Sequence, residues 1–318
     1  MKKIAAILCL LLLFSCNKTS KIEKEISTIP VDFSVLRFDL DYKKAKPSDL
    51  PVLKEKYPYM FSKQFPDSVW VARMTDTLQQ ELFTEVENKF PNFDNQKETL
   101  KKFFQHVKYY FPEETIPTVV TVTSDVDYRN QVFYTNDFLI IALDTYLGGN
   151  HRFYDGIQQY ISKTLDPKYM IVDVARAFSE RHVSAPNSRT FLASMIYQGK
   201  KMFLEDKLLP FKTSAEKMEY SNKEYEFAIE NEAMIWQYFV ENELLYDTSP
   251  KTLERFIYNA PFSKFYLPVD NESPGRLGVF IGAQIVSSYM QNNDVSLQQM
   301  LNTSSEEIFK NAQYKPKK

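Results

Sequence analysis

Metal-dependent hydrolysis needs histidines at ligand spacing, usually HExxH on one helix turn with a third ligand further along. This chain has three histidines, His106, His151 and His182, 45 and 31 residues apart, so no pair shares a turn. His106 lies beside the lysines of its own segment and reads as an exposed side chain. A zinc site could only be assembled across the fold from all three. Serine chemistry has no GxSxG elbow to work from, and the glycines do not form GxGxxG or GxxxxGK phosphate loops. Carboxylates are plentiful, notably in KEYEFAIENE before Ala233, but acid-dense helical stretches are usually solvated faces.

The cysteines carry a different chemistry. Lys2 and Lys3 form a basic head, Ile4 to Phe14 an apolar run of eleven residues, and Ser15 and Cys16 follow. Such a run is too short to span a bilayer, which takes about 20 apolar residues, but it suits the core of a signal peptide. Leu13-Phe14-Ser15-Cys16 resembles the bacterial lipobox, with Phe14 bulkier than usual. The expectation is a lipoprotein signal peptide over 1–15, a lipidated Cys16 opening a flexible polar tether over 16–30, and a single domain over 31–318. Cys9 leaves with the signal, so the body has no thiol; a cysteine nucleophile, a cysteine-held metal and a disulfide are all excluded.

Removing Lys2 and Lys3 with the signal leaves 37 basic residues against 41 acidic, a net charge of −4. This is no nucleic-acid footprint, which calls for a strongly basic face. At 44% hydrophobic and 15% aromatic the chain can fill a large core. Its 7 glycines all fall between Gly148 and Gly282, too few for a fold built on glycine turns. The fold class is therefore α+β: a mainly helical body with a small mixed sheet in the first half.

Strand patterns appear at Val31 to Leu40, at the β-branched Ile116 to Ser124, and at Asp137 to Leu147. Val71, Met74, Leu78, Leu82 and Val86 follow helical spacing, as do Leu100, Phe103, Phe104, Val107 and Phe111. In DPKYMIVDVARAFSERH, Asp166 is expected as the cap and Pro167 as the first helical residue. Met170, Ile171, Val174 and Phe178 make its apolar stripe; Tyr169, Asp173, Arg176 and Glu180 make a polar one, with Arg176 and Glu180 spaced to pair. In TFLASMIYQGKKMFLEDKLLP, Gly199 interrupts a helical face at a cost of about 1 kcal/mol relative to alanine, which points to a close backbone approach. SPGRLGVFIGAQIVSSYM is apolar nearly all round, with Gly278 and Gly282 four apart, and reads as a buried central helix.

The lipobox, DFSVLRFD, IYQGKKMFLEDKLLP, the segment Ala233 to Phe239 and the ending SPGRLGVFIGAQIVSSYMQNNDVSLQQML together resemble the GldB family of gliding-motility lipoproteins of Bacteroidetes, over essentially the whole length. That family is similar in turn to predicted zinc metallopeptidases, which implies a zincin-like fold. If the registers correspond, their HExxH falls on Val172 to Arg176 and their Glu-Gly pair on Gln198-Gly199, so this chain keeps no metal motif. The resemblance implies a non-catalytic motility component without cofactor, anchored to the bilayer through acylated Cys16 and acting with envelope protein partners of the gliding and secretion apparatus. It would face the periplasm, with the inner leaflet of the outer membrane preferred because Asn17 is not the aspartate of inner-membrane retention and no acid cluster of the kind associated with surface display directly follows Cys16. The alternative is an exported hydrolase or peptidase with a site not visible in the sequence.

Overall fold

The computed structural model describes residues 21–317; the expected signal segment and Cys16 lie outside the described residues. One mixed sheet organises the first half, with strands β1 (Val35–Arg37), β2 (Thr118–Val122), β3 (Val132–Tyr134) and β4 (Phe138–Ala142) in the order β1-β2-β4-β3. β2 runs parallel to both β1 and β4, with Val119 opposite Val35 and Leu139, and β3 returns antiparallel to β4. Alternation sends Val119, Leu139 and Ile141 into the main helical core. Val120, Val122 and Ala142 face a smaller aromatic core with Phe38, Tyr42, Tyr57 and Phe83. The α+β expectation holds.

Several expected elements are displaced. The strand foreseen over Val31 to Leu40 shrinks to β1 and turns directly into α1 (Phe38–Lys44). The single helix read through Val71 to Val86 is two, α2 (Asp67–Thr75) and α3 (Thr77–Lys89). Asp76 is extended between them and accepts the N–H of Gln79, a cap that restarts the helix and leaves Leu78 58% exposed. The tether expected over 16–30 is helical from Lys21–Ser27, with Ile26 buried. Gln105 donates to the carbonyls of Ser27 and Ile29, and His106 Nε2 meets Glu23 at 3.1 Å. Seven residues cannot hold a helix alone; side chains 80 positions away cap and dock this one, which no local pattern announces. His106 is accordingly buried, not exposed.

The second half packs around two long helices, α5 (Phe191–Leu208) and α6 (Leu277–Asn292), with α4 (Met170–His182) between α5 and the sheet. α4 begins three residues later than expected, because Asp166 closes a turn onto Lys168 rather than capping the helix. Gly199 and Gly282 form the crossing of α5 and α6. A Cβ on Gly199 would run into the Gly282 carbonyl and lie 2.9 Å from Ala283 N, and one on Gly282 would strike the Met195 carbonyl. The close approach expected at Gly199 is thus present, and its partner is the other glycine-bearing helix.

Candidate functional site

The polar stripe of α4 is not a solvated face. Asp173 is buried and takes the Tyr146 hydroxyl at 2.8 Å on one oxygen and Arg176 Nη1 at 2.8 Å on the other. The same Nη1 reaches Glu219 Oε1 at 3.0 Å, and Arg276 donates to Glu219 Oε2 at 2.8 Å. The expected pairing of Arg176 with Glu180 does not form; Glu180 is instead taken by Lys201 of α5. Helix geometry allows the i,i+4 contact, but Asp173 one turn back and Glu219 across the interface offer Arg176 buried partners in a lower dielectric.

Glu219 and Arg276 owe their positions to unusual backbone. Glu219 ends the short helix Ser214–Met218 with φ 58°, and Arg276 precedes α6 with φ 63°. Left-handed conformation in a non-glycine residue costs of order 1–3 kcal/mol and persists only where its surroundings fix it. Here the ion pair between the two side chains closes one helix end onto the other. Glu205 on α5 completes the cluster, 1% exposed, with Oε2 lacking a hydrogen-bond partner.

The charges sort themselves. Burial works to raise Glu219, but Arg176 and Arg276 together bring it below the ordinary glutamate value. Burial disfavours the Arg176 charge, yet Glu219, Asp173 and Glu205 keep it firmly protonated. Asp173 is pushed up to about 7, chiefly by burial, with Arg176 opposing and Glu219 adding to the rise. Glu205 is likewise pushed up to about 7 by burial, against the pull of Arg176 and Lys201. One carboxylate carries the arginines; two others sit where a proton is easily held.

Arg176 and Glu219 form part of the floor of a cleft of about 880 Å³, walled by the loop Tyr128–Gln131, the segment from Gly156 to Thr164, and Asn259. Asp144 builds the first wall. Its buried carboxylate accepts the backbone N–H groups of Ser124 at 3.0 Å and Val126 at 2.7 Å, holding Asp125 and Val126 at φ 59°. Burial pushes Asp144 up to about 6 despite these bonds. A valine at positive φ is an outlier for a β-branched residue, and the chain beyond it carries Tyr128, Arg129 and Gln131 to the cleft.

The histidines do not converge. His106 meets Glu23, His151 lies 3.4 Å from Glu85, and His182 stacks on Phe178 and meets Glu114 at 2.6 Å. Among the described residues no group of three or more His, Cys, Asp or Glu side chains is placed to hold a metal ion. Val172 is fully buried in the core and Gln198 lies one residue before the helix crossing. What the arrangement offers is proton-holding carboxyls fixed by guanidinium groups beneath an open cleft. Sequence reading found Asp173 and Arg176 but missed Tyr146, Glu205, Glu219 and Arg276. Charges flanked by apolar residues, Glu205 after Phe203-Leu204 and Arg276 before Leu277-Gly278-Val279-Phe280, were the available signal.

The family model described as gliding motility protein GldB matches residues 19–316. No curated protein and no solved structure matches the chain, so the zinc-peptidase likeness rests on the resemblance alone. Among the described residues no helix is long and apolar enough to cross a membrane.

Proposed function

The chain belongs to the gliding motility protein GldB family, lipoproteins of the gliding machinery, and on that premise we propose that it is a non-catalytic component of that machinery which works by binding partner proteins. Its anchor is an acyl chain set on Cys16, and it faces the periplasm from the inner leaflet of the outer membrane. The observation that carries the non-catalytic part is the way Asp173 and Glu219 are held: Arg176 takes one oxygen from each, and Arg276 takes the second from Glu219. A hydrolytic site needs carboxylates free to bind metal or activate water. A fixed guanidinium between them repels a cation and occupies the same lone pairs.

The test keeps shape and removes proton chemistry. Asp173→Asn combined with Glu205→Gln should leave spreading over surfaces intact at normal protein abundance, while deletion of the whole chain abolishes it. Loss of motility in the double variant at normal abundance would refute the non-catalytic reading. Anchoring is tested separately: Cys16→Ala should release the body from membranes or block its maturation, since acyl chains contribute ~0.8 kcal/mol per buried methylene.

A further inference from the structure

The cleft above Arg176 contains two donors without acceptors. Arg176 Nη2 and Gln131 Nε2 are buried, neither has a hydrogen-bond partner among the described residues, and both residues line the same cleft. An unmet buried donor costs about 1–3 kcal/mol, so two in one place are an expensive feature that an oxygen-bearing ligand would relieve. Gln131 also leads into β3, one of the two edge strands of the sheet. Along an antiparallel pair, residues alternate between those bonded to the neighbour and those turned away. Ala142 N donates to the Gln131 carbonyl and Thr135 N to that of Phe138, so Gln131, Phe133 and Thr135 face β4. The N–H and C=O of Val132 and Tyr134 therefore point to the open side, with no backbone partner there among the described residues. The edge is three residues long and carries Phe133, 63% exposed.

We infer that this cleft receives an extended peptide segment of a protein partner, which adds to the free edge of β3 and places backbone carbonyl oxygens on Gln131 Nε2 and Arg176 Nη2. Strand addition draws affinity from main-chain bonds and selectivity from the pockets alongside. The polar wall suits a backbone: Tyr128, Gln158, Tyr160 and Asn259 offer hydroxyl and amide groups, and the charged side chains nearest the floor already hold one another. Arg129 on the wall attracts an anion, but at the floor an anion would meet Glu219, which stays ionised beside Arg176, so a neutral carbonyl fits the floor donors better than a carboxylate or phosphate. The site rests on the partner-binding reading above and supplies the chemical class of the partner.

The experiment uses the full-length mature lipoprotein in detergent, with a displayed library of random linear dodecapeptides as the probe. Extended sequences should be enriched, and their exchange-protection footprint should cover β3 and the Tyr128–Gln131 loop. Gln131→Ala removes a buried donor that bonds nothing in the free protein, so its melting temperature should stay level or rise while peptide affinity falls about five-fold, the worth of one hydrogen bond. Val132→Pro deletes an outward N–H at the first residue of an edge strand, where proline is tolerated, and changes a side chain packed against the main core; measured against Val132→Ala as the packing control, it should weaken binding by about ten-fold. N-methylation of the enriched peptide at alternate residues should do the same without touching the protein. Failure to enrich any peptide, equal affinity for Gln131→Ala, Val132→Pro and the parent, or a footprint elsewhere would each overturn the site. Binding of oligosaccharides in place of peptides would overturn it too. Cleavage of bound peptides with turnover would sink the non-catalytic reading while leaving the site standing.

Discussion

The crossing of α5 and α6 and the cleft beneath β3 solve opposite problems a few turns apart. At the crossing every atom that could intervene has been removed: Gly199 and Gly282 bring backbone onto backbone, with Met195, Ile281 and Ile285 buried alongside. Under the cleft, ionised and protonatable groups are buried together, two residues sit at positive φ, and donors are left unmet. The first region gains from close packing and from the 1.5–3 kcal/mol that burying each large apolar side chain contributes. The second gives part of that back. Stability alone accounts for the crossing and does not account for the cleft, whose costs make sense if it serves recognition.

The most severe way to break the comparison is to remove the arginine on which the cleft floor rests. Arg176→Leu leaves Asp173 and Glu219 facing each other in a buried site, and breaking such a network typically costs about 3–5 kcal/mol; equilibrium unfolding in denaturant should register that loss. Alanine at Gly199 or Gly282 comes next. Helix propensity would favour each change by about 1 kcal/mol, but overlap with backbone carbonyls opposes it, and a net loss of ~1–3 kcal/mol is expected. A melting temperature at or above the parent for both variants would show that the helices can separate at no cost.

An effect of comparable size, present only at high pH, sharpens the contrast. Asp173 and Glu205 have folded values raised from the ordinary carboxylate range to about 7. Their contribution is fully present below the unfolded values near 4 and is lost as pH rises through about 7, because the folded state must then ionise them in a buried site. Glu205→Gln keeps the neutral form at every pH. It should therefore be more stable than the parent at pH 8, by about 2–3 kcal/mol for a shift of this size, and close to equal at pH 4.5. A difference that is the same at both pH values would mean the carboxyl is not the titrating group. The smallest effect marks the periphery: Leu78→Gln, at an exposed position on α3, should change stability by no more than about 0.5 kcal/mol.

Much of this was legible in the sequence where one periodicity ran unbroken. Leu100, Phe103, Phe104 and Val107 are fully buried in the helix they predicted, and the β-branched run around Val119 is the central strand. β3 was not foreseen, since VFY is too short to show alternation and gains its strand character from β4. The α2–α3 break was hidden because apolar residues keep their spacing across Asp76, although a capping aspartate was there to be read. The candidate site was half visible: Asp173 and Arg176 were singled out, but as a solvated stripe.

The sequence by itself determined the absence of a thiol in the body, the helical majority, the buried central helix and the need for close contact at Gly199. Each follows from composition or from a period local to a few turns. Only the tertiary structure decided that Gly199 meets Gly282, that Arg176 lines a cleft, and that it turns from Glu180 to Glu219. The reason is physical. A helix period says which residues share a face, but whether that face meets water or buried charge depends on elements forty to a hundred residues away, and the dielectric they impose decides which ion pair forms.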